Sequence, residues 1–217
     1  MNNFQYHNPT RILFGKGEIA SISSLIPPSS KVMMVYGGGS IFKNGVYEQT
    51  KKALKGFDVI EFGGIEANPR YETCMRAVEQ IKTQNVTFLL AVGGGSVLDG
   101  TKFMALATKY TGADPWDFML GKTATPNSAL PLASIMTLPA TGSEMNANFV
   151  ISRDSTQEKF GGYSDLIRPQ FSVIDPMTTT TLPIRQTANG VVDSFVHTME
   201  QYATFPNNGP LQDRQAE

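Results

Sequence analysis

Three stretches of the chain repeat one arrangement, in which a short apolar run gives way to glycine or a small polar residue and then to a helical period. They are Lys31 to Tyr36 before Gly37-Gly38-Gly39-Ser40, Val86 to Val92 before Gly93-Gly94-Gly95-Ser96, and Leu132 to Leu138 before Ala140-Thr141-Gly142-Ser143. Runs that are apolar at consecutive positions suit strands covered on both faces. Between them Gly45 to Lys55, Tyr71 to Thr83 and Val97 to Lys109 supply helical crossovers for parallel neighbours. The pattern predicts an α/β fold with a parallel sheet. Asn146 to Arg153 and Lys159 to Tyr163 flank the polar turn Asp154-Ser155-Thr156-Gln157 and predict a hairpin; Phe171 to Asp175 predicts a last strand before Pro176.

Beyond Pro176 the pattern changes. Leu182-Pro183 offers a helix start, and Ile184 to Tyr202 is helical with apolar Val191, Val192, Phe195, Val196 and Met199. Phe205 to Pro210 breaks that helix and Leu211 to Glu217 begins what could be another. An apolar helix face with nothing after it to cover it reads as the start of a second region of a larger protein. The expected division is an α/β domain over 1–182 and the opening of a helical domain over 183–217. The uncovered face is expected to make the isolated chain self-associate.

Composition sets the bounds on partners. The 217 residues are 41% hydrophobic and 17% charged, which supplies a packed core and excludes intrinsic disorder. A net charge of −1 leaves no summed positive field for nucleic acid or an anionic membrane. No run approaches the ~20 apolar residues of a membrane helix, and Met1 to Phe14 lacks the apolar core of a signal peptide. Cys74 has no partner for a disulfide, so a cytoplasmic location is expected.

Glycines between a strand end and a helix N-terminus let backbone N–H groups approach an anion, with the helix dipole adding positive potential. One such turn is also what any tight turn looks like. Two of them, after two strands of one parallel sheet, place Gly37 to Ser40, Gly93 to Ser96 and Thr137 to Ser143 along one crevice, where a dinucleotide would lie. Gly15-Lys16-Gly17-Glu18-Ile19-Ala20 matches G-x-G-x-x-A, but Tyr36 and glycines stand where that fingerprint needs an acidic residue, so it reads as a turn. The same missing acid favours NADP over NAD: Gly37 to Gly39 carry no carboxylate to repel a 2′-phosphate, and Ser40 and Lys43 could bond one.

Asp193 and His197 are four apart on a predicted helix and share a face. A carboxylate oxygen and an imidazole nitrogen suit Fe(II) or Zn(II), although a surface hydrogen-bonded pair has the same spacing and a catalytic zinc takes at least three protein ligands. Asp99 and Lys102 could touch a cofactor or pair with each other across one turn. Cys74, in a helical pattern with no histidine near it in sequence, reads as a core thiol.

Three motifs in order, Gly93-Gly94-Gly95-Ser96-Val97-Leu98-Asp99, Leu138-Pro139-Ala140-Thr141-Gly142-Ser143-Glu144, and Asp193 with His197, resemble the iron-containing (group III) alcohol dehydrogenases. Tyr36-Gly37-Gly38-Gly39-Ser40 and Phe62-Gly63-Gly64-Ile65-Glu66 look most like the NADPH-dependent aldehyde reductase and butanol dehydrogenase branch, and the likeness runs from Phe4 to the last residue. The resemblance implies a Rossmann-like, NADP(H)-binding α/β domain joined to an all-α domain of which only the first helix is present. It also implies a divalent metal, Fe(II) or Zn(II), between the two. It implies that Gly37, Gly38, Gly39 and Ser40 meet the adenosine end, and Gly94, Gly95, Ser96 and Asp99 the pyrophosphate and nicotinamide half. Thr137, Thr141, Asn146 and Lys159 would meet the remainder, and Asn68, Thr178 and Leu182 are further contacts. Asp193 and His197 match the first two of four metal ligands and hence the catalytic centre.

The expected activity is interconversion of small aldehydes and primary alcohols by a cytoplasmic, self-associating or homodimeric enzyme. The chain by itself, with two ligands, is expected to bind NADP(H) weakly at most and to reduce aldehydes little or not at all. A non-catalytic nucleotide-binding module and a dehydroquinate-synthase-like enzyme are the alternatives.

Overall fold

The computed structural model describes residues 7–204 and 209–217. The predicted helix break at Phe205 to Pro210 falls mostly outside that range, as does Met1 to Tyr6. Among these described residues eight strands and six α-helices follow in the order β1 (Arg11–Phe14), β2 (Lys31–Tyr36), α1 (Val46–Ala53), β3 (Asp58–Phe62), α2 (Tyr71–Thr83), β4 (Phe88–Gly94), α3 (Gly95–Ala107), α4 (Trp116–Met119), β5 (Leu132–Leu138), β6 (Asn148–Arg153), β7 (Glu158–Tyr163), β8 (Phe171–Ile174), α5 (Ile184–Ala203) and α6 (Pro210–Ala216).

Six strands form one sheet in the order β1-β8-β5-β4-β2-β3, and every pairing is parallel. The alternation of side chains in β2 shows why these runs are apolar throughout: Val32 and Met34 enter the core on one face, Met33 and Val35 the core on the other. α2 and α3 cover one face; α1 and a short 3-10 segment at Glu18–Ser24 cover the other. The expected α/β class and Rossmann-like parallel sheet are what the chain adopts. β3, not foreseen, is an edge strand with no fully buried position.

β6 and β7 pair as the expected antiparallel hairpin. Phe149 of β6 is buried against Phe103 of α3, with ring centroids 6.1 Å apart, and so fastens the hairpin to the core. A Cβ at Gly162 would clash with the edge of the Phe149 ring. We expect Gly162→Ala to cost about 1–3 kcal/mol of stability, read as a lowered urea midpoint at unchanged slope.

In the Gly15–Ala20 fingerprint, Gly15–Gly17 form the expected glycine turn and Glu18–Ala20 open the 3-10 segment. Gly17 adopts φ 86°, a left-handed conformation that suits glycine, and its N–H donates to Asp175 Oδ2 at 2.7 Å. Among the described residues no helix is long and apolar enough to cross a membrane. α5 buries none of its residues: Val191, Val192 and Phe195 are each 60% exposed or more.

Candidate functional site

β2 and β4 are neighbours, while the chain leaves β2 towards β3 on one side and returns to β4 on the other. The strand order reverses between them, and the crevice beyond their carboxyl ends is where open parallel sheets bind ligands. Gly37–Ser40 and Gly93–Ser96 flank this crevice. Gly93 and Gly94 end the strand across a register shift and Gly95 is already the first residue of α3, so the helix starts two residues earlier than its periodicity suggested. The first-turn N–H groups of α3 therefore open directly into the crevice with no intrahelical acceptor.

Gly95 has a second role. A Cβ there would lie 2.8 Å from Thr141 Oγ1, so only glycine lets the loop after β5 close onto the helix start. Over the same helix end, Asn68 donates its backbone N–H to Ser96 Oγ at 3.3 Å and accepts from Lys159 Nζ through Oδ1 at 2.9 Å. Asn68, Ser96 and Lys159 are thus brought together. On the β2 side Gly39 takes φ 97° to turn the chain into a short 3-10 segment that begins at Ser40. A Cβ on Gly38 would meet nothing within 4 Å.

Two expected cofactor contacts also make hydrogen bonds within the fold. Thr178 is buried, and its hydroxyl donates within the fold to the carbonyls of Met136 and Asp175. Both Asp99 oxygens are occupied, Oδ1 by Ser143 Oγ at 2.7 Å and Oδ2 by Val150 N at 3.0 Å. Asp99 and Lys102 do not form a direct pair; Ser143 stands between them, giving its hydroxyl hydrogen to Asp99 and accepting from Lys102 Nζ. Thr137 is buried at the end of β5, and Leu182 is half-buried just ahead of α5.

Lys102 is fully buried, and its Nζ lies 2.7–3.0 Å from five oxygens: the carbonyls of Ser143, Asn146 and Asn148, Ser143 Oγ and Asn146 Oδ1. Burial pushes this ammonium down to about 8, against the pull of Asp99 and Glu144. Nothing in a helical period marks one lysine as buried, and its acceptors lie 41 to 46 residues away, so sequence reasoning missed this arrangement. Glu144 was also passed over: it is 8% exposed, and its Oε2 has no hydrogen-bond partner among the described residues. Cys74 is a buried core thiol whose deprotonation is opposed chiefly by burial.

α5 crosses beside the loop after β5, with Gly190 close to Leu138 and Ser194 Oγ donating to the Ala140 carbonyl at 3.5 Å. Asp193 Oδ1 and His197 Nε2 stand 3.6 Å apart on it, with both side chains partly exposed. Between helix and loop lies a cavity of about 560 Å3 lined by His197, Thr141, Glu144 and Asn146 among others. Thr141, which packs on Gly95, thus also lines the cavity that His197 opens onto.

The profile of iron-containing alcohol dehydrogenases matches residues 9–176. The chain belongs to this family. It is 57% identical over its whole length to the NADPH-dependent aldehyde reductase YqhD of Escherichia coli (strain K12), and covers 56% of that protein. It is 46% identical to the probable NADH-dependent butanol dehydrogenase 1 of Bacillus subtilis (strain 168), again covering 56%. Among solved structures, the crystal structure of E. coli YqhD superposes with a TM-score of 0.94 over 99% of this chain and 55% of that one. NADH-dependent butanol dehydrogenase A from Thermotoga maritima gives 0.89 at 44% identity, over 94% of this chain and 52% of that one. The chain therefore spans little more than half the length of the relatives it matches.

For an iron-containing alcohol dehydrogenase the donor chemistry of Asp193 and His197 fits a divalent ion: one oxygen and one nitrogen, close together on one helix face, with His197 opening onto the cavity. The two supply part of a coordination sphere. Among the described residues no three His, Cys, Asp or Glu converge. The crevice fits a dinucleotide in the same sense, since a Cβ at Gly95 would obstruct the closed approach of loop and helix on which the cradle depends.

Proposed function

We propose that the complete protein carrying this chain is an NADP(H)- and metal-dependent oxidoreductase that interconverts small aldehydes and primary alcohols. The observation that carries this reading is that one loop, Pro139 to Asn148, both packs on the α3 glycine cradle through Thr141 and lines the cavity onto which His197 opens. When bound, the nicotinamide would supply the hydride and a divalent ion the Lewis acidity that polarises a carbonyl oxygen. In this reading residues 1–182 form the coenzyme domain and 183–217 open a helical one. Asp193 and His197 supply two metal ligands, and the others come from sequence outside this chain. Gly94, Gly95 and Ser96 present first-turn N–H groups to the pyrophosphate, Asn68 and Lys159 extend that cradle, and Thr137, Thr141, Asn146 and Leu182 border the nicotinamide side. The exposed apolar face of α5 is covered in the complete protein, and a homodimer in the cytoplasm is its proposed state.

The preference for NADP(H) rests on Gly37–Ser40. No acidic residue follows β2 in the turn from Gly37 to Lys43, which carries Ser40 and the exposed Lys43. Gly38→Asp tests this, because the new side chain enters open space and leaves the fold alone. A carboxylate facing a 2′-phosphate costs several kcal/mol, so kcat/KM for NADPH should fall by roughly a hundredfold or more while that for NADH holds or rises. An equal loss for both coenzymes would place the adenosine ribose elsewhere.

A further inference from the structure

We propose that Lys102 is a positioning residue that holds the Asn146 side chain in one orientation, with its amide Nδ2 presented to the bound coenzyme as a hydrogen-bond donor. The inference rests on the coenzyme reading above and assigns a role to a buried lysine that the reading does not use.

Lys102 itself is not a ligand for the coenzyme. An ammonium has three N–H bonds, and five oxygens already surround this one within 3.0 Å. No donor remains for a phosphate. Three of those oxygens are backbone carbonyls of the segment from Ser143 to Asn148, so the lysine ties that loop to α3, whose N-terminus is the cradle.

The orientation of Asn146 follows from donor chemistry. Its inward amide atom receives Lys102 Nζ at 2.9 Å and the Asn148 backbone N–H at 3.0 Å. Both neighbours are donors with no acceptor capacity, so the inward atom must be the oxygen and the other end must be the NH2 group. That NH2 has no partner among the described residues, and Asn146 lines the cavity it shares with Thr141 and His197. A donor at this place, between the cradle and the Asp–His pair, suits a neutral carbonyl oxygen on the nicotinamide half of the coenzyme, which is the carboxamide oxygen. Without Lys102 only the Asn148 N–H still holds the oxygen inward, so the outward donor is fixed less firmly towards the coenzyme.

The test uses the complete protein and two probes, NADPH and adenosine 2′,5′-bisphosphate, which carries only the adenosine end. Asn146→Asp keeps the inward oxygen for Lys102 but replaces the outward donor with an acceptor. It should weaken NADPH roughly tenfold or more, with the bisphosphate within about twofold of wild type. Lys102→Met should show the same selective loss, and Lys102→Met/Asn146→Ala should lose no more than the larger single variant, because both act through one hydrogen bond. If Lys102→Met does not fold, Lys102→Arg is read in its place: it keeps the charge, but its planar fork cannot reproduce a compact ammonium, and the same selective loss is expected.

Wild-type NADPH affinity in Asn146→Asp, additive losses in the double variant, or equal weakening of both probes would overturn the proposal. Failure of the unmodified protein to bind NADPH would instead overturn the coenzyme reading on which it rests.

Discussion

His197→Ala in the complete protein is expected to remove the bound metal and lower kcat for aldehyde reduction by roughly a thousandfold or more, since Lewis-acid stabilisation of the developing alkoxide is worth several kcal/mol. Asp193 Oδ1 and His197 Nε2 are 3.6 Å apart with both side chains partly exposed. A pair that served only each other at such exposure would contribute about 1 kcal/mol at most, and its removal would leave activity intact. Metal content by elemental analysis and kcat on one preparation separate the two cases. A variant that keeps both metal and rate would reduce the pair to a surface contact.

Gly95→Val is expected to raise the dissociation constant for NADPH roughly a hundredfold or more. The first side-chain carbon alone would lie 2.8 Å from Thr141 Oγ1 and 3.2 Å from its methyl carbon. Thr141 and the loop behind it must then retreat, which spreads the cradle and turns the α3 N–H groups from the anion they would meet. Repacking at this level costs about 1–3 kcal/mol of stability, so the folded fraction is to be checked by circular dichroism before titration. Unchanged affinity in a folded variant would mean that the pyrophosphate does not sit at the start of α3.

Much of this architecture was readable from local pattern. β2, β4 and β5 are apolar on consecutive positions because helices cover both faces of the sheet, and each run ends at glycine or a small residue near the strand end. α2 was placed to the residue because Thr73, Cys74, Ala77, Val78 and Ile81 recur on one buried face. β3 escaped notice because an edge strand half-open to water has no run of buried positions: Asp58 and Glu61 interrupt it. The start of α3 was misplaced because a glycine reads as turn whether or not it is helical. The site divides along the same line. Glycine turns and the Asp193–His197 spacing are short-range features, visible in a few residues, whereas the hydroxyl of Thr178 and the carboxylate of Asp99 are bound to groups 42 to 51 residues away. Such pairings leave no mark on local periodicity.

The sheet order also sets a timetable. Among the described strands β1 pairs only with β8, Arg11 opposite Phe171, so β1 has no partner until 160 residues after it is made. At ~5–20 residues per second that is a delay of roughly ten to thirty seconds. During it Arg11–Phe14 is a short, unpaired strand, and the Gly17 N–H waits for Asp175. The outer edge of the domain therefore closes last, and substitutions along that seam should act on how quickly newly made protein is sealed more than on how tightly it binds its ligands.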